Sequence, residues 1–167
     1  MPAMQGGRRA KALFLHTMSD RINTISEAVL FASLLLMVVV SVLQVVFRFF
    51  FTALTWSEEL SCFLLVFVSL LGSAVAFKKG SHIAVTFLLD KLKGGAKKSA
   101  QTVIALLGLL FFAIVAYYGA VLMQAEAGQL TPAMGLSMKW IYLIYPVVGG
   151  ITIVHITDWV FRIWEEA

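Results

Sequence analysis

One stretch of the chain, residues 60–77, contains no charged side chain and is bracketed by two glutamates before it and two lysines after it. Eighteen helical residues at about 1.5 Å each span roughly 27 Å, close to the roughly 30 Å hydrocarbon core of a bilayer. The stretch therefore predicts a membrane-spanning helix. The lysines at its end indicate the cytoplasmic side, because loops rich in Lys and Arg are retained there.

The composition places the whole chain in the membrane. Of its 167 residues, 60% are hydrophobic and 13% are charged, whereas soluble domains are about 45–50% apolar and about 25% charged. A chain of this length accommodates three to five spans, which leaves little room for a transport pathway of its own and favours a subunit or an oligomer. The single cysteine, Cys62, excludes an intrachain disulfide. The net charge of +4 comes from residues that flank apolar segments, so it predicts contact with membrane lipids and not with nucleic acid.

The predicted fold is an all-α integral membrane protein with four transmembrane helices in one domain, residues 25–161. The predicted spans are about 25–47, 60–77, 102–123 and 140–157. Between spans two and three, residues 81–93 have apolar side chains on one helical face, which predicts an amphipathic helix lying in the membrane interface. Residues 1–24 are predicted to be a basic cytoplasmic segment whose spacing allows an interfacial helix, and residues 162–167 a cytoplasmic tail.

The distribution of Lys and Arg predicts the orientation of these spans. The N-terminal segment, the connector and the tail carry eleven of them, and the opposite side has only Arg48 and Lys139. By the positive-inside rule both termini are predicted to be cytoplasmic.

Polar residues cluster at the non-cytoplasmic ends of the first two spans. Gln44 and Arg48 share a helical face, on which we expect Gln44 to make polar contacts between helices, and Trp56, Glu58 and Glu59 open the second span. Acids at a helix N-terminus are favoured by the macrodipole, by roughly 0.3–1 kcal/mol, so a purely local role is one interpretation. The others are an ion pair of Arg48 with Glu58 or Glu59, and contacts of these residues with a partner protein.

Small residues follow one side of the second span. Such residues let helix backbones approach closely in lipid. They are Ser69, Gly72, Ser73 and Ala76. Packing within the chain and packing against a second protein are both consistent with this pattern.

His155 and Asp158 lie three residues apart near the inner end of the fourth span, and we expect them to make polar contacts between helices. His82 lies at a similar depth. Two such histidines also allow a haem- or quinone-binding membrane anchor of a respiratory complex. A third hypothesis, a small homo-oligomeric channel or exporter, is disfavoured because no acid lies in the middle of any span. No catalytic or nucleotide-binding motif occurs, which argues against an enzyme.

The order of several short motifs resembles the small membrane subunit of tripartite ATP-independent periplasmic (TRAP) transporters, the DctQ-like family. The motifs cover about residues 25–157. They are Arg48 after the first span, Trp56-Ser57-Glu58-Glu59 before the second, Gly72, Ala74 and Ala76 within it, Lys78-Lys79-Gly80-Ser81-His82-Ile83 at its end, Thr131-Pro132-Ala133 before the fourth span and Tyr145-Pro146 within it.

This resemblance implies a non-catalytic scaffold subunit in the bacterial inner membrane. It implies a large elevator-type membrane subunit as partner, which holds the substrate and Na⁺ sites, so no cofactor is expected in this chain. It also implies a periplasmic binding protein that delivers an organic acid, such as a C4-dicarboxylate or a sialic acid. In that setting Arg48, Trp56, Glu58 and Glu59 are candidates for contact with either partner.

Overall fold

The structure, a computed structural model, describes residues 3–79 and 95–165, with side chains described for residues 15–79, 95–161 and 163. The predicted interfacial helix at 81–93 and His82 lie outside the described residues. In the described part of the chain the ordered elements are all helical, apart from one isolated bridge between Leu130 and Ser137.

Five helices follow one another along the described chain: α1 Ala3–Phe50, α2 Thr55–Lys79, α3 Gly95–Ala125, α4 Met138–Tyr142 and α5 Ile144–Glu165. Four segments are long and apolar enough to cross a membrane, and they are Leu15–Phe50, Thr55–Lys79, Gly95–Ala125 and Met138–Phe161. The prediction of an all-helical protein with four membrane-spanning helices is therefore confirmed.

The helices extend beyond the predicted spans at both ends. The 48 residues of α1 form one helix, about 72 Å long, without a break near residue 24. The predicted boundaries marked where charges begin. A helix continues past that point because its backbone remains hydrogen-bonded internally whatever surrounds it. We call the end of the bundle near Glu59 the outer end and the end near Lys78 the inner end, and about 28 Å of α2 (19 residues) separates them.

The fourth segment is divided at Leu143 into α4 and α5. Leu143 N–H bonds to the carbonyl of Lys139 at 3.1 Å, and Val147 N–H bonds to the carbonyl of Leu143 at 3.3 Å. Pro146, in the first turn of α5, has no N–H to donate, so the helical ladder loses one bond here. The segment remains nearly continuous across this gap.

Helix α5 is the hub of the bundle, because it contacts α1, α2 and α3. Towards α2 the core is formed by Leu71, Ala74 and Val148, with Leu30 of α1 packed against it. Towards α3 a second core is formed by a different set, Ala105, Phe112 and Ile156. Helix α2 and helix α3 thus pack their buried apolar side chains against two different sides of α5.

Glycine permits the close approach of α3 and α5. A Cβ built on Gly149 would lie 2.8 Å from the Cβ of Ala116, and one on Gly119 would overlap Tyr145 and Pro146. Real side-chain atoms do not approach this closely, so both positions require glycine in this packing. In contrast, a Cβ on Gly150 would have no neighbour within 4 Å.

Large apolar side chains cover the outward faces of α1 and α3. On α1 they include Phe31, Leu35, Val38, Val42, Val45 and Phe49, and on α3 they include Leu106, Leu107, Leu110, Phe111, Ile114, Tyr117 and Tyr118. In a soluble protein such surfaces would be a liability. On helices of this length they are the surfaces that lipid or a membrane partner covers.

Candidate functional site

The inner end of the bundle is joined by a buried ion cluster centred on Lys78. The ammonium Nζ of Lys78 lies 2.8 Å from Oδ2 of Asp158 and 2.8 Å from Oδ1 of Asp20. The side chains of Lys78 and Asp158 are only 9% and 5% exposed. Because the three residues come from α2, α5 and α1, one ammonium group connects three helices.

His16 lies at the edge of this cluster, one helical turn before Asp20. Its Nδ1 is 3.3 Å from Oδ2 of Asp20 and 3.7 Å from Oδ2 of Asp158. The side chain of His16 is about half exposed. His16 therefore adds a second nitrogen-bearing side chain to the two carboxylates.

A second contact between α1 and α5 lies beside the ion cluster. Ser19 Oγ and His155 Nδ1 are 2.8 Å apart, and both residues are fully buried. His155 Nε2 is also out of contact with solvent, and it has no hydrogen-bond partner among the described residues. The prediction that His155 and Asp158 make polar contacts between helices thus has a specific geometry, with Ser19 and Lys78 as partners on the other helices.

A more exposed pair links α1 and α2 at the same level. Lys79 Nζ lies 3.0 Å from Oε1 of Glu27, and Asn23 donates its side-chain amide to the same oxygen. Both charged side chains are well exposed. Exposed pairs of this kind contribute about 0–1 kcal/mol to the free energy of unfolding. We therefore expect this pair to stabilise the bundle less than the Lys78 cluster does.

The outer end of the bundle is joined by Glu59 of α2. Its Oε2 accepts hydrogen bonds from the backbone N–H groups of Ala133 and Met134, each at 2.9 Å. Hydrogen bonds from N–H groups to a carboxylate are roughly twice as strong as neutral ones. Glu59 thus fixes the connection between α3 and α4, residues 126–137, against the start of α2.

That connection, which we call the outer loop (residues 126–137), is ordered by its own hydrogen bonds. Thr131 N–H donates to the carbonyl of Leu136 at 2.8 Å, and Thr131 Oγ1 accepts from Leu136 N–H at 3.0 Å. Ser137 Oγ donates to the carbonyl of Ala127 at 2.9 Å. Gly135 has φ of 65°, which glycine adopts without strain and which closes the turn begun at Thr131.

The other sequence-derived candidates at the outer end are exposed, apart from Gln44. Arg48, Trp56 and Glu58 are exposed, and Gln44 is partly buried. Among the described residues no ion pair joins Arg48 to Glu58 or Glu59. Of the two adjacent glutamates, the structure brings Glu59 alone to the outer loop.

The small residues of α2 divide between two surroundings. A Cβ on Gly72 would lie 3.9 Å from Leu30 of α1, so this position faces a helix of the same chain. Ser73 donates its hydroxyl to the carbonyl of Leu70, and Ala76 is partly buried. Ser69 is exposed and remains available to a partner. Packing within the chain therefore accounts for Gly72.

An apolar groove of about 540 Å³ lies between the outer half of α2 and the α4–α5 segment. Its lining is almost entirely apolar, and the lining residues include Leu60, Phe63, Leu64, Phe67, Trp140 and Val147. Catalytic pockets combine apolar walls with a few convergent polar groups, and the hydroxyl-bearing residues of this lining are Tyr142 and Tyr145. In the described part of the chain no group of three His, Cys, Asp or Glu side chains is placed to hold a metal ion.

Sequence reasoning missed Asp20, Ser19 and Lys78 as contact residues. Lys78 carried a visible signal, since it ends the charge-free stretch, but that signal was interpreted only as a marker of orientation. Asp20 and Ser19 lie among mixed residues of the N-terminal segment, and nothing local distinguishes them from their neighbours.

A model of a known protein family matches most of the residues of this bundle. The family model for the DctQ component of tripartite ATP-independent periplasmic transporters matches residues 37–166. This range contains part of α1 and all of α2, α3, α4, α5 and the outer loop.

Two small permease proteins of TRAP transporters are similar to this chain over more than 100 residues. The sialic acid TRAP transporter small permease protein SiaQ of Vibrio cholerae is 28% identical over 110 residues, which are 66% of this chain and 64% of that protein. The ectoine TRAP transporter small permease protein TeaB of Halomonas elongata is 27% identical over 136 residues, 80% of this chain and 70% of that protein.

The sialic acid TRAP transporter permease protein SiaT of Haemophilus influenzae is 30% identical over 100 residues, 60% of this chain. Those residues span only 16% of SiaT, so the similarity concerns a small part of a much longer permease. The family model matches residues 37–166, and the four long apolar segments fit a membrane subunit. The chain therefore belongs to the DctQ component family of TRAP transporters, whose members are transporter subunits and not enzymes.

Proposed function

We propose that this chain is the scaffold subunit of a Na⁺-driven importer of organic acids, paired with a large elevator-type membrane subunit and served by a periplasmic binding protein. The observation that carries the proposal is the DctQ match across residues 37–166. SiaT and SiaQ are described as a permease and a small permease of sialic acid TRAP transporters. A division of labour between a large and a small permease subunit fits a chain too small for a pathway of its own.

The polar residues of the bundle support a static role. Lys78 binds both Asp20 and Asp158, and Glu59 binds the backbone of the outer loop. These groups are thus used to join the helices of the chain at two levels. An elevator mechanism needs a fixed frame against which its mobile part moves, and a bundle joined at both ends is suited to that task.

The orientation that we propose puts both termini in the cytoplasm and the outer loop in the periplasm of a cell with an inner membrane. It follows from the distribution of Lys and Arg along the sequence, in which the N-terminal segment, the connector between spans two and three and the tail carry eleven residues and the other loops carry two. The Na⁺ and substrate sites belong, in this proposal, to the large subunit.

The proposed substrate class is a small solute that carries a carboxylate. The names of the relatives support it, since they include transporters for sialic acid, for ectoine and for C4-dicarboxylates. The identity of the substrate would follow from the sequence of the large subunit and from the binding protein.

The test is a pull-down of the tagged chain from its native membrane in mild detergent, with every stoichiometric partner identified by mass spectrometry. We expect one large multi-span membrane protein at a ratio of one to one. Recovery with soluble flavin or iron–sulfur subunits would instead support the respiratory anchor. A chain that is recovered alone and transports a solute in proteoliposomes would support the small channel or exporter.

A further inference from the structure

The apolar groove between α2 and the α4–α5 segment lies in one half of the bilayer. Along α2 its lining begins at Leu60, the first residue of the charge-free stretch, and ends at Phe67. These two positions are about 10 Å apart along the helix, whereas Glu59 and Lys78, at the two ends of the bundle, are about 28 Å apart. The groove therefore runs from the outer boundary of the hydrocarbon roughly to its middle.

Contact between α2 and α5 closes the inner end of the groove. Phe67 lines the groove and also packs against the core formed by Leu71, Ala74 and Val148. Val147 lines the groove, and the next residue, Val148, is buried in that core. A molecule that enters from the outer boundary thus meets packed side chains near the middle of the bilayer.

The side of the groove is open to the surroundings of the bundle. Val66, Trp140 and Val147 belong to its lining, and all three are exposed. The two segments that form the groove are long and apolar enough to cross a membrane, so the opening lies at the level of lipid. Lipid therefore has direct access to the groove from the side.

The size of the groove favours one hydrocarbon chain over a helix of a partner protein. A helix with its side chains is about 10–12 Å wide, so a 10 Å length of it fills at least about 800 Å³. The groove has a volume of about 540 Å³. A transmembrane helix also continues through the whole thickness of the bilayer. One acyl chain is thinner than a helix and ends near the middle of the bilayer, as the groove does.

A cation lies at the outer mouth of the groove. Lys139 is placed between two lining residues, Met138 and Trp140, and its side chain is exposed. Among the residues that the structure describes, its ammonium group has no ion-pair partner. Tryptophan is enriched at the level of lipid headgroups, because its ring is apolar and its N–H is polar. Lys139 therefore offers a positive charge at the depth where the phosphate of a lipid lies.

We propose that this groove binds one phospholipid from the outer half of the bilayer, with an acyl chain between α2 and α5 and the phosphate beside Lys139. The bound chain joins the outer halves of these two helices, as the core around Leu71 and Val148 joins them deeper in the membrane. This site goes beyond the proposed function and does not depend on it.

Native mass spectrometry tests whether the groove is occupied. The tagged chain is purified from its native membrane in mild detergent, together with any subunit that copurifies, and the masses of the bound lipids are measured. We expect one phospholipid per chain that persists through repeated washing with detergent. A chain that retains no lipid, or that retains only detergent or a free fatty acid, would overturn the proposal.

Two substitutions, each with a matched control, locate the lipid. Val147→Phe fills part of the groove, and Val42→Phe adds the same bulk to an exposed position of α1. Lys139→Gln removes the cation at the mouth, and Arg48→Gln removes an exposed cation at the end of α1. We expect both groove variants to lower the retained phospholipid several-fold and both controls to leave it unchanged. Equal retention in the two valine variants would overturn the position of the acyl chain, and equal retention in the two glutamine variants would overturn the role of Lys139.

Photo-crosslinking distinguishes lipid from protein as the occupant without filling the groove. A photo-crosslinking amino acid replaces Leu64, a partly buried lining residue, and the native membrane is irradiated before purification. We expect an adduct of phospholipid mass whose yield falls several-fold when Lys139→Gln is added. An adduct with another polypeptide would show that a partner subunit occupies the groove. That result would overturn the lipid site and leave the proposed function intact.

Discussion

Lys78 Nζ lies 2.8 Å from a carboxylate oxygen of Asp158, and the two side chains are among the least exposed charged groups in the described part of the chain. The same ammonium group lies 2.8 Å from Asp20, so one lysine joins α1, α2 and α5. Charges near the membrane boundary are costly unless they are paired. The cluster therefore fixes how these three helices are arranged at the inner end.

Lys78→Met should destabilise the chain by about 3–5 kcal/mol, because it removes the lysine that pairs with the buried carboxylate of Asp158. The measurement is thermal unfolding of the purified protein in detergent. Lys79→Met is the matched control, since Lys79 pairs with Glu27 in an exposed position and should cost at most about 1 kcal/mol.

A double variant separates the charge effect from lost packing. Lys78→Met combined with Asp158→Leu removes both buried charges, and it should be more stable than Lys78→Met alone. Asp20 keeps its charge in this variant but is half exposed and can be hydrated. If the double variant loses as much stability as the two single variants together, Lys78 and Asp158 are not coupled.

Glu59→Ala should loosen the outer loop without unfolding the helices. It removes two hydrogen bonds to a carboxylate, and since Glu59 is partly exposed we expect a cost of about 1–3 kcal/mol. Hydrogen exchange measures this directly, as faster exchange at Ala133 and Met134. Glu58→Ala should leave these amides unchanged, and a similar increase in both variants would contradict the assignment.

Ser19→Ala should cost about 1–3 kcal/mol, because it leaves the buried His155 Nδ1 without a partner. Ser41→Ala is the control, since the Ser41 hydroxyl is exposed and bonds only to the carbonyl of Met37 in its own helix. A double-mutant cycle of Ser19→Ala with His155→Phe should give a clear coupling energy. Strictly additive losses would show that this contact does not join α1 to α5.

Gly149→Ala should destabilise the packing of α3 on α5 by about 1–3 kcal/mol, since the added methyl group meets Ala116 of the facing helix. The adjacent Gly150 is open, so Gly150→Ala should be neutral or should stabilise α5 by up to about 1 kcal/mol through helix propensity. Thermal unfolding of the two variants side by side checks the contrast. Equal behaviour would mean that α3 and α5 do not approach closely at Gly149.

The four spans followed from local information. The charge-free stretches, the lysines at Lys78 and Lys79 and the motif order around Trp56 are all readable along the chain. Hydrocarbon thickness sets the length of such stretches, so the number of spans was predictable. The motif order made the family predictable. The true helix ends were not, because a helix continues past the last apolar residue.

Contacts between distant residues needed the tertiary structure. Lys78 and Asp158 are 80 positions apart, and Ser19 and His155 are 136 apart. Which of two neighbours faces inward also depends on the rotation of each helix, because successive residues point about 100° apart. This rotation decides that Glu59 and not Glu58 holds the outer loop, and that Gly149 and not Gly150 meets Ala116. The sequence by itself determined where the helices are and what kind of protein they build, and packing alone decided which side chains join them.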